Sequence, residues 1–124
     1  MRAVFFFVAA AFAVASLPDS ATAGANFDRF LTSLDHACKS PPAFDAFWKS
    51  IVGRYGYSEG GQKPKVVVPA DLMPAFGPIT ATDKGEYVDV SIPLDGTFRE
   101  LKLTRITFFV GKENGISGYR VEFA

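Results

Sequence analysis

From Glu86 to Ala124 the chain alternates apolar and polar residues in three runs, separated by Asp95-Gly96 and Asn114-Gly115. Period-two alternation marks strands with one covered face. Both dipeptides favour two-residue hairpin turns, because their central residues tolerate positive φ. The stretch therefore predicts a three-stranded antiparallel meander. A turn at Asn114-Gly115 pairs Val110 with Tyr119, Phe108 with Val121 and Ile106 with Phe123, and sends Phe109, Arg120, Thr107 and Glu122 to the opposite, wetter face. A turn at Asp95-Gly96 pairs Val90 with Leu101 and Val88 with Leu103 on one face, and Asp89 with Lys102 on the other. Leu101 and Leu103 are odd-numbered apolar positions, whereas Ile106, Phe108 and Val110 are even. One residue near Thr104 or Arg105 must then be extra, which predicts a β-bulge there.

Upstream the period changes to that of a helix. Phe27, Phe30, Leu31, Leu34, Ala37 and Cys38 fall on one helical face, with Asn26 placed as an N-cap. Ser40-Pro41-Pro42 ends this first helix and opens a second, with Ser40 as its cap. The second carries Phe44, Phe47, Trp48, Ile51, Val52 and Tyr55 on one face and stops at Gly53 or Gly56. Residues 56–64 read as an exposed loop. Lys65 to Pro69 reads as a short edge strand between prolines. Residues 70–85 read as a long connection with at most one helical turn. The expected fold class is α+β: an N-terminal helical hairpin packed on a small antiparallel sheet, formed by the three-stranded C-terminal meander plus a short edge strand.

Residues 1–23 follow neither pattern. Arg2, the apolar run Ala3 to Ala15, Pro18 and the small residues Ala21-Thr22-Ala23 read as a cleaved secretory signal peptide, which predicts a periplasmic or secreted protein. The apolar run is shorter than the roughly 18–20 residues that span a bilayer, so no stable membrane anchor is expected. Residues 24–124 then make a single α+β domain.

Thirteen Lys and Arg balance thirteen Asp and Glu. This neutrality argues against nucleic acid or an anionic membrane as the main partner, since both are bound through an excess of positive charge. With a lone Cys38 no intramolecular disulfide can form. Asp35, His36 and Cys38 lie within four residues, but on a helix His36 and Cys38 point apart, and Cys38 belongs to the apolar stripe as a buried thiol. One His and one Cys cannot assemble a usual zinc site, and Asp83 with Glu86 lacks the calcium-loop pattern. Glu100 and Glu122 would need the fold to bring them together for carboxylate hydrolysis. Gly60-Gly61 fits no phosphate-loop spacing. No catalytic residue, metal or cofactor is therefore expected.

What remains is recognition. The Tyr- and Gly-rich loop with Tyr55, Tyr57, Glu59 and Lys63, the connection with Met73 and Phe76, and the second sheet face with Tyr87, Phe109 and Arg120 have the composition of contact surfaces. The expectation is a small exported bacterial binding protein, inhibitor- or immunity-like and not an enzyme. It would occlude an extracytoplasmic protein such as a toxin or cell-wall enzyme. The alternative is a small-ligand carrier with an apolar pocket lined by Phe47, Trp48, Phe108 and Tyr119.

Overall fold

The computed structural model describes residues 24–56, 61–113 and 115–124. The signal peptide expected at 1–23, Tyr57, Glu59 and the turn residue Asn114 lie outside the described residues. Among those described, five strands form one sheet: β1 (Ala25–Asn26), β2 (Thr80–Asp83), β3 (Tyr87–Phe98), β4 (Leu101–Gly111) and β5 (Ser117–Phe123). One helix, α1 (Pro42–Tyr55), covers it. β3, β4 and β5 pair antiparallel in chain order, β2 pairs antiparallel with the first half of β3, and β1 pairs parallel with its end. One edge of β3 is thus lined in succession by β2, by Phe76 bridging Leu94, and by β1.

The C-terminal third is the expected meander, but with different turns. Asp95-Gly96 is not a turn, because β3 runs through it to Phe98 and the chain reverses at Arg99-Glu100. Both of those residues have positive φ, 50° and 68°. This is the backbone of a two-residue hairpin loop that ordinarily takes glycine or asparagine. Val90 consequently faces Phe108 and Val88 faces Val110, while Leu101 is left 58% exposed. Gly96 has a different purpose. A Cβ there would lie 2.5 Å from the Ala25 carbonyl oxygen and 2.6 Å from the Phe27 ring, so glycine is what lets β1 approach. The β4–β5 register is slid by two residues, pairing Phe108 with Tyr119 and Ile106 with Val121. A slip of two keeps every side chain on its expected face. The bulge falls between Leu103 and Arg105, and both Leu103 and Ile106 are buried.

The helical hairpin is absent. α1 forms where expected, with Pro42 in its first turn, Phe44, Phe47 and Ile51 buried, and Gly56 closing it. Ser40 is not its cap; the Ser40 hydroxyl donates instead to Asp45. The first helix does not form. Its Phe27 N–H donates to the Thr97 carbonyl across the sheet, and the Thr32 hydroxyl bonds back to the Asp28 and Arg29 carbonyls. Such side-chain bonds compete with helix propagation. One helical turn and a short 3-10 turn at Thr32–Leu34 are all that result. Phe27, Phe30 and Leu31 are buried as the stripe requires, but Leu34 is exposed and Cys38 is exposed with φ 68°, so the expected buried thiol is at the surface. Lys65 to Pro69 is not an edge strand either. It runs along α1, its Val67 N–H donating to the Ser50 hydroxyl, while the edge strand comes from the connection, as β2.

The aromatic rings of these segments form one network. Phe30 contacts Phe27, Phe44, Phe47 and Phe76 at centroid distances of 5.2–6.2 Å. Phe47 reaches Phe108 on the sheet at 5.3 Å. Each fully buried ring contributes on the order of 1.5–3 kcal/mol.

Surface ion pairs pin the loops. Arg99 Nε donates to Asp35 at 2.7 Å, and the Arg99 N–H donates to Asp28 at 2.6 Å. The Arg99 hydrogen bond, and after it the His36 contact, holds the Asp35 carboxyl below its ordinary value. Lys112, and after it the Gly85 N–H, does the same for Asp83.

Gly96→Ala is expected to destabilise the chain by about 1–3 kcal/mol through the forced displacement of β1 and Phe27. Glu100→Gly is expected to stabilise it by about 1 kcal/mol by relieving a left-handed residue. Urea unfolding of both variants beside wild type checks the pair. Because the folded pKa of Asp83 is depressed, its contribution is present above about pH 4 and is lost as pH falls through the folded value. The gap in thermal midpoint between wild type and Asp83→Asn should therefore be widest near pH 7 and close toward about pH 2.

Candidate functional site

The face of the sheet away from α1 is set by strand alternation. Across β3, β4 and β5 it aligns Asp89 with Phe109 and Gly118, then Ser91 with Thr107 and Arg120. Tyr87, Asp89, Phe109 and Arg120 line a depression of about 240 Å³. Tyr87 and Phe109 are each 40% exposed, high for aromatic side chains in a sheet whose other face is a filled core. Phe109 holds its position over Gly118, where a Cβ would meet the ring within 2.3 Å. Glycine at that point of β5 is what gives the ring its seat. The Arg120 guanidinium lies in solvent, 3.8 Å from Glu122. Arg105 is occupied by the Ser91 hydroxyl.

At the centre of this face is a polar group with an unmet requirement. Thr107 is 2% exposed, and its hydroxyl has no hydrogen-bond partner among the described residues. A buried hydroxyl left unpaired costs about 1–3 kcal/mol, so such groups are uncommon and call for a reason. The face thus exposes two aromatic surfaces, a cation and an anion, above the buried Thr107 hydroxyl. A second cavity of about 260 Å³ lies between the N-terminal segment and the start of α1, lined in part by Arg29, Phe30, Pro41 and Asp71. It contains no comparable orphaned group.

Of the residues singled out from sequence, the structure brings together Tyr87, Phe109 and Arg120. Tyr55 is half-buried against the core under the Arg54 guanidinium, and Lys63 is exposed in the loop beyond α1. Met73 is 56% exposed by itself. Phe76 is half-buried against the core, packed on Phe27 and Phe47 at 5.7 and 5.4 Å and bridged to Leu94. Asp89 and Thr107 were not singled out from sequence: a reversal at Asp95-Gly96 sets Asp89 opposite Lys102, and a turn at Asn114-Gly115 sets Thr107 opposite Glu122, whereas the structure pairs them with Phe109 and Arg120. Parity places Asp89 on the face of Tyr87, and Thr107 on that of Phe109, whatever the register.

The four rings offered as a carrier pocket are in contact with one another instead: Trp48 packs edge-on on Tyr119 at 5.0 Å and on Phe108 at 6.0 Å, Phe47 edge-on on Phe108 at 5.3 Å, and Phe108 lies tilted against Tyr119 at 5.8 Å. Trp48 Nε1 and the Tyr119 hydroxyl are bonded to Ser117 and Ser33. Asp35 and His36 contact each other at 2.8 Å in solvent. Among the described residues no three of His, Cys, Asp and Glu gather as a metal site, and no helix is long and apolar enough to cross a membrane.

No protein family matches this chain, and no curated protein or solved structure proves similar to it.

Thr107→Val replaces the orphaned hydroxyl with a methyl of the same shape. It is expected to raise the stability of the free protein by about 1 kcal/mol in denaturant unfolding. A loss of stability would show that the hydroxyl is already satisfied.

Proposed function

We propose that this chain is a small exported bacterial binding protein of the inhibitor or immunity kind, which presses the outer face of its sheet against an extracytoplasmic protein and occludes it. The observation that carries the reading is the convergence of Tyr87, Asp89, Phe109 and Arg120 around one depression beside the unpaired Thr107 hydroxyl. Tyrosine and arginine are enriched among residues that dominate interface energies. The aromatic residues bring apolar area at little cost in side-chain freedom, and Arg120 with Asp89 fixes orientation by opposite charges. Formal neutrality of the chain suits a protein partner. The leader-like residues 1–23 suit a site of action outside the cytoplasm. Occlusion needs no chemistry from this chain, only a rigid face, and the ring network behind the sheet supplies the rigidity.

The test uses residues 24–124 immobilised as bait for the extracytoplasmic fraction of the source bacterium. A discrete protein should be retained at about 10 µM bait, and Tyr87→Ala and Asp89→Ala should each weaken retention at least tenfold, about 1.4 kcal/mol. Retention of nothing, or equal retention by both variants, contradicts the reading.

A further inference from the structure

β5 ends the sheet, and among the described residues no strand lies beyond it. Its free side can be read from the register. The Gly111 N–H donates to the Ile116 carbonyl at 2.7 Å. Antiparallel pairs alternate between bonded and non-bonded, so Phe109–Gly118 and Thr107–Arg120, two and four residues further on, also turn their main-chain groups toward each other. Tyr119 and Val121 therefore aim N–H and C=O outward. Natural edges are usually guarded by proline, by charged side chains, by bulges or by a covering segment, and a charge guards least where the neighbouring strand can set an opposite charge against it. β5 reads Ser-Gly-Tyr-Arg-Val-Glu-Phe, with no proline and one charge of each sign.

We propose that β5 pairs antiparallel with β5 of a second copy about a two-fold axis at Val121. The charges select this register. An axis at Arg120 would oppose the two Arg120 side chains, and an axis at Tyr119 would leave Arg120 facing Gly118. The axis at Val121 sets each Arg120 opposite Glu122 of the other copy, twice, in the closer non-bonded positions where side chains approach to about 4.5–5.5 Å. It also matches the outward phase of Tyr119 and Val121. On the inner face Val121 meets its own copy and Tyr119 meets Phe123, which is 41% exposed in the single chain. The loose Arg120–Glu122 contact within one strand, 3.8 Å between exposed groups, is replaced by two contacts across the axis. The two outer faces join into one sheet surface with a depression on either side of the axis. Arg120 lines the depression of the proposed partner site and also lies on this edge, but Tyr87 and Asp89 lie on β3, away from it, so their variants test the partner site separately from the dimer.

Sedimentation of residues 24–124 from about 5 to about 500 µM reads the association, and amide exchange at both extremes locates it. A monomer–dimer equilibrium is expected, with exchange at Tyr119 and Val121 slowing at least tenfold on dimerisation while Gly118 and Arg120 stay protected throughout. Arg120→Glu should weaken association at least tenfold, and the swap of Arg120→Glu with Glu122→Arg should restore it to within about threefold. Circular dichroism confirms that each variant is folded. A monomer across the whole range, a dimer without the change at Tyr119 and Val121, or a swap as weak as Arg120→Glu alone overturns the proposal.

Discussion

The structure depends on a mismatch of lengths. β3 has twelve residues and α1 fourteen, so the strand extends about 40 Å and the helix about 21 Å. One helix cannot cover the apolar face of such a hairpin. The remainder is closed by Phe27, Phe30 and Leu31 from the N-terminal segment and by Leu72, Ala75 and Phe76 from the connection, all packed into the same core. Phe30 is the joint, touching rings from the helix, its own segment and the connection. Burial of these rings draws the N-terminal segment down to the sheet, where β1 can pair with β3 only because residue 96 has no side chain.

The same constraint explains which parts of the fold were legible. Phe27, Phe30 and Leu31 do form the buried stripe that their spacing announces. That spacing is satisfied by a single helical turn, however, and periodicity alone cannot distinguish one turn from a full helix. The Asp95-Gly96 dipeptide satisfies a turn rule but answers a packing need, so the first hairpin was misplaced while the second merely slid by two residues. The true reversal at Arg99-Glu100 has no sequence signature. Its positive φ values are stabilised by contacts from Asp28 and Asp35, some seventy residues away in sequence. Pro64 and Pro69 bracket a β-branched run that would have made a strand on composition, but that run lies on α1, and the plain Thr80–Asp83 takes the edge.

For function, the consequence is a division between the two faces of one sheet. The inner face is committed to aromatic packing, and the rings expected to line a pocket are spent filling it. Among the described residues, the outer face gathers Tyr87, Asp89, Phe109 and Arg120 around one depression. Tyr87, Phe109 and Arg120 could be assigned to that face by parity. Asp89 and the Thr107 hydroxyl could not be weighted until the register was known, because a polar residue in a strand is unremarkable until its burial and its partners are fixed.

The central claim, that the N-terminal segment completes the core as a sheet-paired arm, is tested most directly by nuclear magnetic resonance on residues 24–124. The account predicts cross-relaxation between the Phe27 ring and the Gly96 α-protons, an upfield ring-current shift of one of those protons, and no run of helical chemical shifts from Asn26 to Lys39. A continuous helical run over those residues, with Gly96 unshifted and out of contact with Phe27, would contradict it.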